Sequence, residues 1–153
     1  IGYNFMPSEI SAAFALVQLQ KLKSNLNKRI KNFNFLKTNL SISKNFCIPS
    51  SYTNVETGWL ALPLILTNKL SKKRKDFQIF LEKAGIQTRT IFTGNIMRQP
   101  IANKFKWEKF GTFEVCDTVM RSGILLGIHN KQTQKKLDYI LNKLLEAESI
   151  FVD

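Results

Sequence analysis

Histidine, cysteine and proline are scarce in this sequence of 153 residues, which holds one, two and four of them. With His129 as its single histidine, the chain cannot build a histidine-based metal cluster alone. Cys47 and Cys116 lie far apart without CxxC spacing, so buried or incidental thiols in a reducing cytoplasm are expected rather than a disulfide or metal site. No apolar run approaches the roughly 18 residues of a membrane-spanning helix. The start, Ile1-Gly2-Tyr3-Asn4-Phe5, is neither basic nor followed by the apolar stretch of a secretory signal. A cytoplasmic location without a membrane partner is therefore expected. No Met stands first, as expected of a segment from inside a longer reading frame. GxGxxG, Walker-type and GxSxG motifs are all missing.

Acidic residues are also few: 11 Asp and Glu against 23 Lys and Arg give a net charge of +12. Such a balance attracts anions, with nucleic acid as one class and an anionic nucleotide-sugar as another. The densest basic run is Lys69, Lys72, Lys73, Arg74 and Lys75. No aromatic residues are interleaved there as stacking platforms, which argues against nucleic acid. A stand-alone basic nucleic-acid-binding or interaction domain is the alternative from another functional class.

What is present is apolar periodicity. Ser8 as a cap and Glu9 in a first turn open a helix carrying Ile10, Ala13, Phe14 and Val17. The stripe runs on through Leu19, Leu22, Leu26, Ile30, Phe33 and Leu40, and the helix start is apolar on several sides, as for contact with another domain or subunit. Residues 41–57 read as a surface connection. Trp59 to Leu66 reads as a buried strand, with Pro63 calling for an edge or a bulge. Ser71 is the expected cap of a helix with Phe77, Phe80 and Leu81, stopped at Gly85. Ile86 to Phe92 is the second expected strand. Residues 101–112, with Phe105, Trp107 and Phe110, predict short irregular helix, and Phe113 to Met120 another short helix. Gly123 to Ile128 follows as a third strand. Thr133 then caps a last helix with Leu137, Ile140, Leu141, Leu144 and Leu145 on one face. The order predicts an α+β fold: a long helix and a small, mainly antiparallel sheet covered by helices.

Residues with chemistry are sparse. His129, between a strand and a helix, reads as a loop histidine bonded to backbone or as a proton carrier. Glu9 reads as a helix-start acid rather than a base. Arg89 is a surface pair or an anion clamp. The best candidate site is the loop with Gly94, Asn95, Arg98, Gln99 and Pro100: it leaves a strand, is rich in donors, and has a glycine that permits close backbone approach.

Three stretches carry a family resemblance. Gly2-Tyr3-Asn4-Phe5, Ser8-Glu9-Ile10-Ser11-Ala12-Ala13 and Gln18-Leu19-Gln20-Lys21-Leu22 resemble the segment joining the two domains of DegT/DnrJ/StrS-type sugar aminotransferases. Ala84-Gly85-Ile86-Gln87-Thr88-Arg89 is similar to that family's helix end and strand. Leu126-Gly127-Ile128-His129 with Thr133 and Asp138-Tyr139-Ile140 is similar to its closing strand and helix. The resemblance implies the C-terminal small domain of a fold-type-I pyridoxal-phosphate (PLP) enzyme, with residues 1–45 as the linker turn and helix reaching an absent large domain and 46–153 as the small domain. It implies that the large domain supplies the Schiff-base residue, the stacking ring and the carboxylate on the pyridine nitrogen. Accordingly no catalytic residue is expected in this chain. Cofactor, as PLP or its aminated form PMP, belongs to the parent enzyme and is not expected to be held by this segment alone. Asn4 carries over as a contact to the cofactor phosphate of the neighbouring subunit in a homodimer. Met6 stands where family members often have a basic residue.

Phe92-Thr93-Gly94-Asn95-Ile96-Met97-Arg98-Gln99-Pro100 looks like the Phe-x-Gly-Asn-x-x-Arg-Gln-Pro stretch of the nucleotide-sugar 3-dehydratases. The aminotransferases usually have Pro-Leu-His there, with the histidine falling on Met97. In the 3-dehydratases a histidine replaces the Schiff-base lysine, and the 3-hydroxyl of a 4-keto-6-deoxyhexose is expelled. Gly58-Trp59-Leu60-Ala61-Leu62-Pro63 is similar to those enzymes too, whereas Arg121 to Leu126 is less aromatic than their pattern. The resemblance favours dehydration, with sugar amination as the alternative, and places Gly94, Asn95 and Arg98 by the nucleotide-sugar.

Overall fold

The computed structural model describes residues 5, 6 and 8–152. Helix α1, Glu9–Leu40, follows Ser8, whose extended backbone caps it without a side-chain bond. At about 1.5 Å per residue it is about 48 Å long, and its two halves differ. Ile10, Phe14, Leu16, Val17, Leu19 and Leu22 are exposed, while Phe33, Leu36 and Leu40 are buried. Of the predicted stripe, only the C-terminal part enters the core. Phe33 stacks on Trp59 with ring centroids 4.5 Å apart. Beside it, buried Asn32 donates to the backbone oxygen of His129 at 2.9 Å, tying α1 to the far end of the chain.

Four strands follow the order β1-β2-β4-β3, all antiparallel: β1 Phe46–Cys47, β2 Ala61–Leu66, β3 Thr88–Thr90 and β4 Gly123–Gly127. Strand β1 was not expected within the connection at 41–57; two residues carry no period to read. Nor is β2 buried throughout. Leu62, Leu64 and Leu66 are buried and alternate with half-buried Ala61, Pro63 and Ile65, as a sheet covered more heavily on one face requires. Pro63 lies in an inner strand and not in an edge strand. However, β1 pairs only with Leu66 and Ile65, so at Pro63 the sheet has a single neighbour, β4.

The buried side chains of the sheet share one apolar core with residues of α1 and of the helices that follow. A 3-10 helix, Asn68–Lys73, runs into α2, Arg74–Lys83. This displaces Ser71 from its expected cap position: its hydroxyl donates to Asn68 O within the 3-10 helix. Helix α2 ends as predicted at Gly85, whose φ of +75° suits glycine. Gly85 N–H donates to Glu82 O at 3.0 Å and Ile86 N–H to Leu81 O at 2.9 Å, the paired bonds of a Schellman motif with its apolar contact between the buried Leu81 and Ile86. Because Ile86 serves this cap and Phe92 has a φ of +48°, β3 is shorter than the predicted 86–92 strand. Helix α3, Glu114–Ser122, leads straight into β4. Helix α4, Gln134–Val152, starts after Thr133, whose hydroxyl accepts from Lys136 N–H at 3.4 Å. Leu137 and Leu144 are buried, whereas Leu145, expected on the same face, is exposed.

The core joins Leu62, Leu64, Leu70, Phe77, Leu81, Ile124 and Leu144, all without solvent exposure. Each such side chain contributes about 1.5–3 kcal/mol by leaving water. Residues 101–112 contain most of a 3-10 helix, Pro100–Lys104, and then no regular structure. Among the described residues no helix is long and apolar enough to cross a membrane.

Candidate functional site

The predicted site loop leaves β3 and is closed by backbone geometry and polar bonds. Phe92 takes a left-handed conformation although it is not glycine, and its ring is exposed; such strain gathers at functional loops. Gly94 has a φ of +70°, and a Cβ there would lie 2.2 Å from Met120 Cγ and 2.9 Å from Met120 Cα. Glycine is thus required twice at this point, by conformation and by the close approach of α3. Gln99 Nε2 donates to Thr93 O at 2.7 Å and spans the base of the loop.

Asn95 is buried, with 2 % of its surface exposed. Its Oδ1 accepts from Met97 N–H at 3.0 Å and caps a short 3-10 helix, Ile96–Arg98. Its Nδ2 donates to Asp117 Oδ1 at 2.8 Å. The guanidinium of Arg98 grips the same carboxylate at two points, Nε to Oδ1 at 3.0 Å and Nη2 to Oδ2 at 2.7 Å. Asp117 lies on α3, and its side chain is 14 % exposed against 58 % for Arg98. The Arg98 and Asn95 hydrogen bonds hold the Asp117 carboxyl down at about 2 from an ordinary 3.8, with Arg121 adding positive potential. The same pairing raises the Arg98 pKa.

The structure thus brings Gly94, Asn95 and Arg98 together and adds Asp117, which the sequence reading missed. Asn95 turns inward and serves the loop, and Arg98 is the member that reaches solvent. Exposed apolar side chains are numerous in the neighbouring sequence: Phe92, Ile96, Phe105, Trp107, Phe110 and Val115. Phe105 and Trp107 meet edge to face at 5.8 Å, and Trp107 Nε1 donates to Ala102 O.

The other candidates are not part of this cluster. Asn4 lies outside the described residues. Glu9 is an exposed acid in the first turn of α1. His129 is bonded to backbone: its Nδ1 accepts from Lys131 N–H at 3.1 Å and its O from Asn32. Arg89, exposed on β3, donates to Thr88 O. Cys47 and Cys116 are free and exposed, so of the two expected kinds they are incidental rather than buried thiols. The basic run at 69–75 spans the 3-10 helix and the start of α2; its nearest rings, Phe77 and Phe80, are buried and half-buried and offer no stacking face. A cavity of about 640 Å³ lies between α1, the end of β4 and the start of α4, lined by Arg29, Ile128, His129, Lys136 and Tyr139 among others. None of Gly94, Asn95 and Arg98 lines it. Among the described residues no group of His, Cys, Asp and Glu could hold a metal.

The chain is 30% identical over 147 residues to the lipopolysaccharide biosynthesis protein RfbH of Salmonella typhimurium, covering 95% of this chain and 34% of that protein. A solved E. coli GDP-4-keto-6-deoxy-D-mannose-3-dehydratase with bound hydrated PLP superposes with a TM-score of 0.83 at 25% identity, covering 94% of this chain and 36% of that one. Helicobacter pylori PseC, an aminotransferase of pseudoaminic acid biosynthesis, superposes with a TM-score of 0.85 at 18% identity, covering 99% and 40%; at that identity the likeness shows the fold alone. The chain spans about a third of the length of these relatives. The family model for DegT/DnrJ/EryC1/StrS aminotransferases matches residues 1–145, and with nearly its whole length matched the chain belongs to that family.

Proposed function

We propose that this chain is the small domain of a PLP-dependent enzyme that removes the 3-hydroxyl of a nucleotide-linked 4-keto-6-deoxyhexose. One observation carries the choice of branch. Likeness in fold to the E. coli 3-dehydratase and to PseC is nearly equal, with TM-scores of 0.83 and 0.85, yet identity is 25% to the first and 18% to the second. The Phe92–Pro100 loop, similar in sequence to that of the 3-dehydratases, supports the same branch. Amination of the same class of sugar is the second reading, supported by the aminotransferase family match over residues 1–145.

The described residues do not by themselves fit PLP. Its phosphate needs a cradle of donors and its ring needs a carboxylate and a stacking face, but Asn95 and Asp117 are committed to each other between the loop and α3. The anchors belong elsewhere, in the large domain and in Asn4 reaching the phosphate site of a neighbouring subunit in a homodimer. What this chain contributes is substrate binding: Gly94 lets the loop close against Met120 of α3, and Arg98 offers a fixed positive charge to the nucleotide-sugar. A cytoplasmic homodimer is the assembly that goes with this role.

Mass spectrometry of the sugar product tests the proposal. The complete protein, supplied with PMP and GDP-4-keto-6-deoxymannose, is expected to yield a product short of the 3-hydroxyl. A 4-amino sugar retaining that hydroxyl would establish the second reading, and no turnover of any nucleotide-linked 4-keto-6-deoxyhexose would overturn both.

A further inference from the structure

A guanidinium has two edges that each present a pair of parallel N–H donors. In Arg98 the Nε–Nη2 edge is filled by the two oxygens of Asp117. The other edge, formed by Nη1 and the outer hydrogen of Nη2, is on the side away from that carboxylate, and the Arg98 side chain is 58 % exposed while that of Asp117 is 14 % exposed. Asp117 itself is fixed from a second direction by buried Asn95, and Asn95 by the Met97 N–H. The arginine is therefore pinned at one edge by groups that cannot easily move, and its other edge, which bonds to none of the described residues, has a defined direction.

We propose that Asp117 is a positioning residue, holding Arg98 so that its outer edge takes two oxygens of the diphosphate of a nucleotide-sugar. The inference rests on the reading above that this loop faces the substrate. Charge permits it. Arg121 lies on the same helix and acts on Asp117, so two cations surround one carboxylate and the cluster keeps a net positive charge for an anion. Oxygen spacing in a phosphate matches a planar fork as a carboxylate does. Sugar hydroxyls can also accept from such an edge but carry no charge, so the charge-assisted pair favours phosphate.

The test is calorimetric titration of the complete protein with GDP, CDP and dTDP, each paired with its nucleoside, with thermal unfolding of every variant measured alongside. Wild type is expected to bind one diphosphate well above its nucleoside. Arg98→Lys keeps the charge but not the fork, and is expected to weaken diphosphate binding about tenfold or more while nucleoside binding stays unchanged. Asp117→Asn is expected to cause a loss of the same order, and Asp117→Glu, which restores the carboxylate, to recover most of it. If Arg98→Lys weakens binding but Asp117→Asn only lowers the unfolding temperature, Asp117 is structural and the positioning role is overturned. If Arg98→Ala leaves diphosphate affinity unchanged, or wild type binds none of the three, the loop does not face a nucleotide-sugar and the functional reading itself fails.

Discussion

The sheet with its covering helices and the 92–122 segment are held by different forces. Around Leu64, Phe77 and Ile124 the side chains have no exposed surface, and cohesion comes from apolar area removed from water, which is proportional to size and indifferent to direction. Around Asn95, Arg98 and Asp117 the ties are directional bonds of 2.7–3.0 Å, beside two residues at positive φ, Phe92 and Gly94. Volume matters in the first region and geometry in the second. Substitutions that remove bulk should injure the core, and those that alter a bond angle or add one atom should injure the loop.

The largest expected effect tests the core side of that contrast. Phe77→Ala leaves a cavity in a fully buried site and is expected to cost about 3–5 kcal/mol in denaturant unfolding; a loss below about 1 kcal/mol would show the core to be loosely packed. Next comes the loop. Gly94→Ala places a methyl 2.2 Å from Met120 Cγ at a left-handed position, with an expected cost of about 2–3 kcal/mol from strain and overpacking. Gly85→Ala sharpens the comparison, since its φ of +75° is similar but nothing lies within 4 Å of the added atom. Only the backbone penalty applies, about 1 kcal/mol. Equal losses at the two glycines would mean that Met120 moves aside. The smallest effect is that of acid. The Asp117 carboxyl is depressed from 3.8 to about 2, so its contribution is complete above pH 3.8 and is lost as pH falls through 2. Protection of the Met97 and Arg98 amides, relative to the unfolded-chain exchange rate at each pH, should hold at pH 3.5 and fall on approach to pH 2; a loss already complete at pH 3.5 would contradict the clamp.

This contrast also explains what could be read from the sequence. Helices α1 and α4 repeat apolar residues at helical spacing, and Gly85 marks a helix end by a rule of local chemistry, so these elements were legible. Alternation in β2 was hidden by the unbroken run Ala61-Leu62-Pro63-Leu64-Ile65-Leu66. Strand β1 is two residues long and pairs with residues about 20 positions away, a distance over which no local pattern operates. For the site, the glycine, amide and arginine of one loop stood in a single stretch and could be found together. Asp117 could not, because it meets Arg98 across 19 residues and sits on a helix where an acid in the first turn already has an ordinary explanation in the helix dipole.

Helix α1 has a mechanical consequence. It is a rod about 48 Å long clamped at one end, by Phe33, Leu36 and Leu40 in the core and by the stacking of Phe33 on Trp59. The arm beyond that clamp, from Glu9 to Phe33, is about 36 Å long, so a tilt of about 5° at the clamped end carries the far end through about 3 Å. Whatever rides on the Glu9 end is therefore aimed by a few rings at the other, and Trp59→Leu should redirect it without a side chain near it having changed.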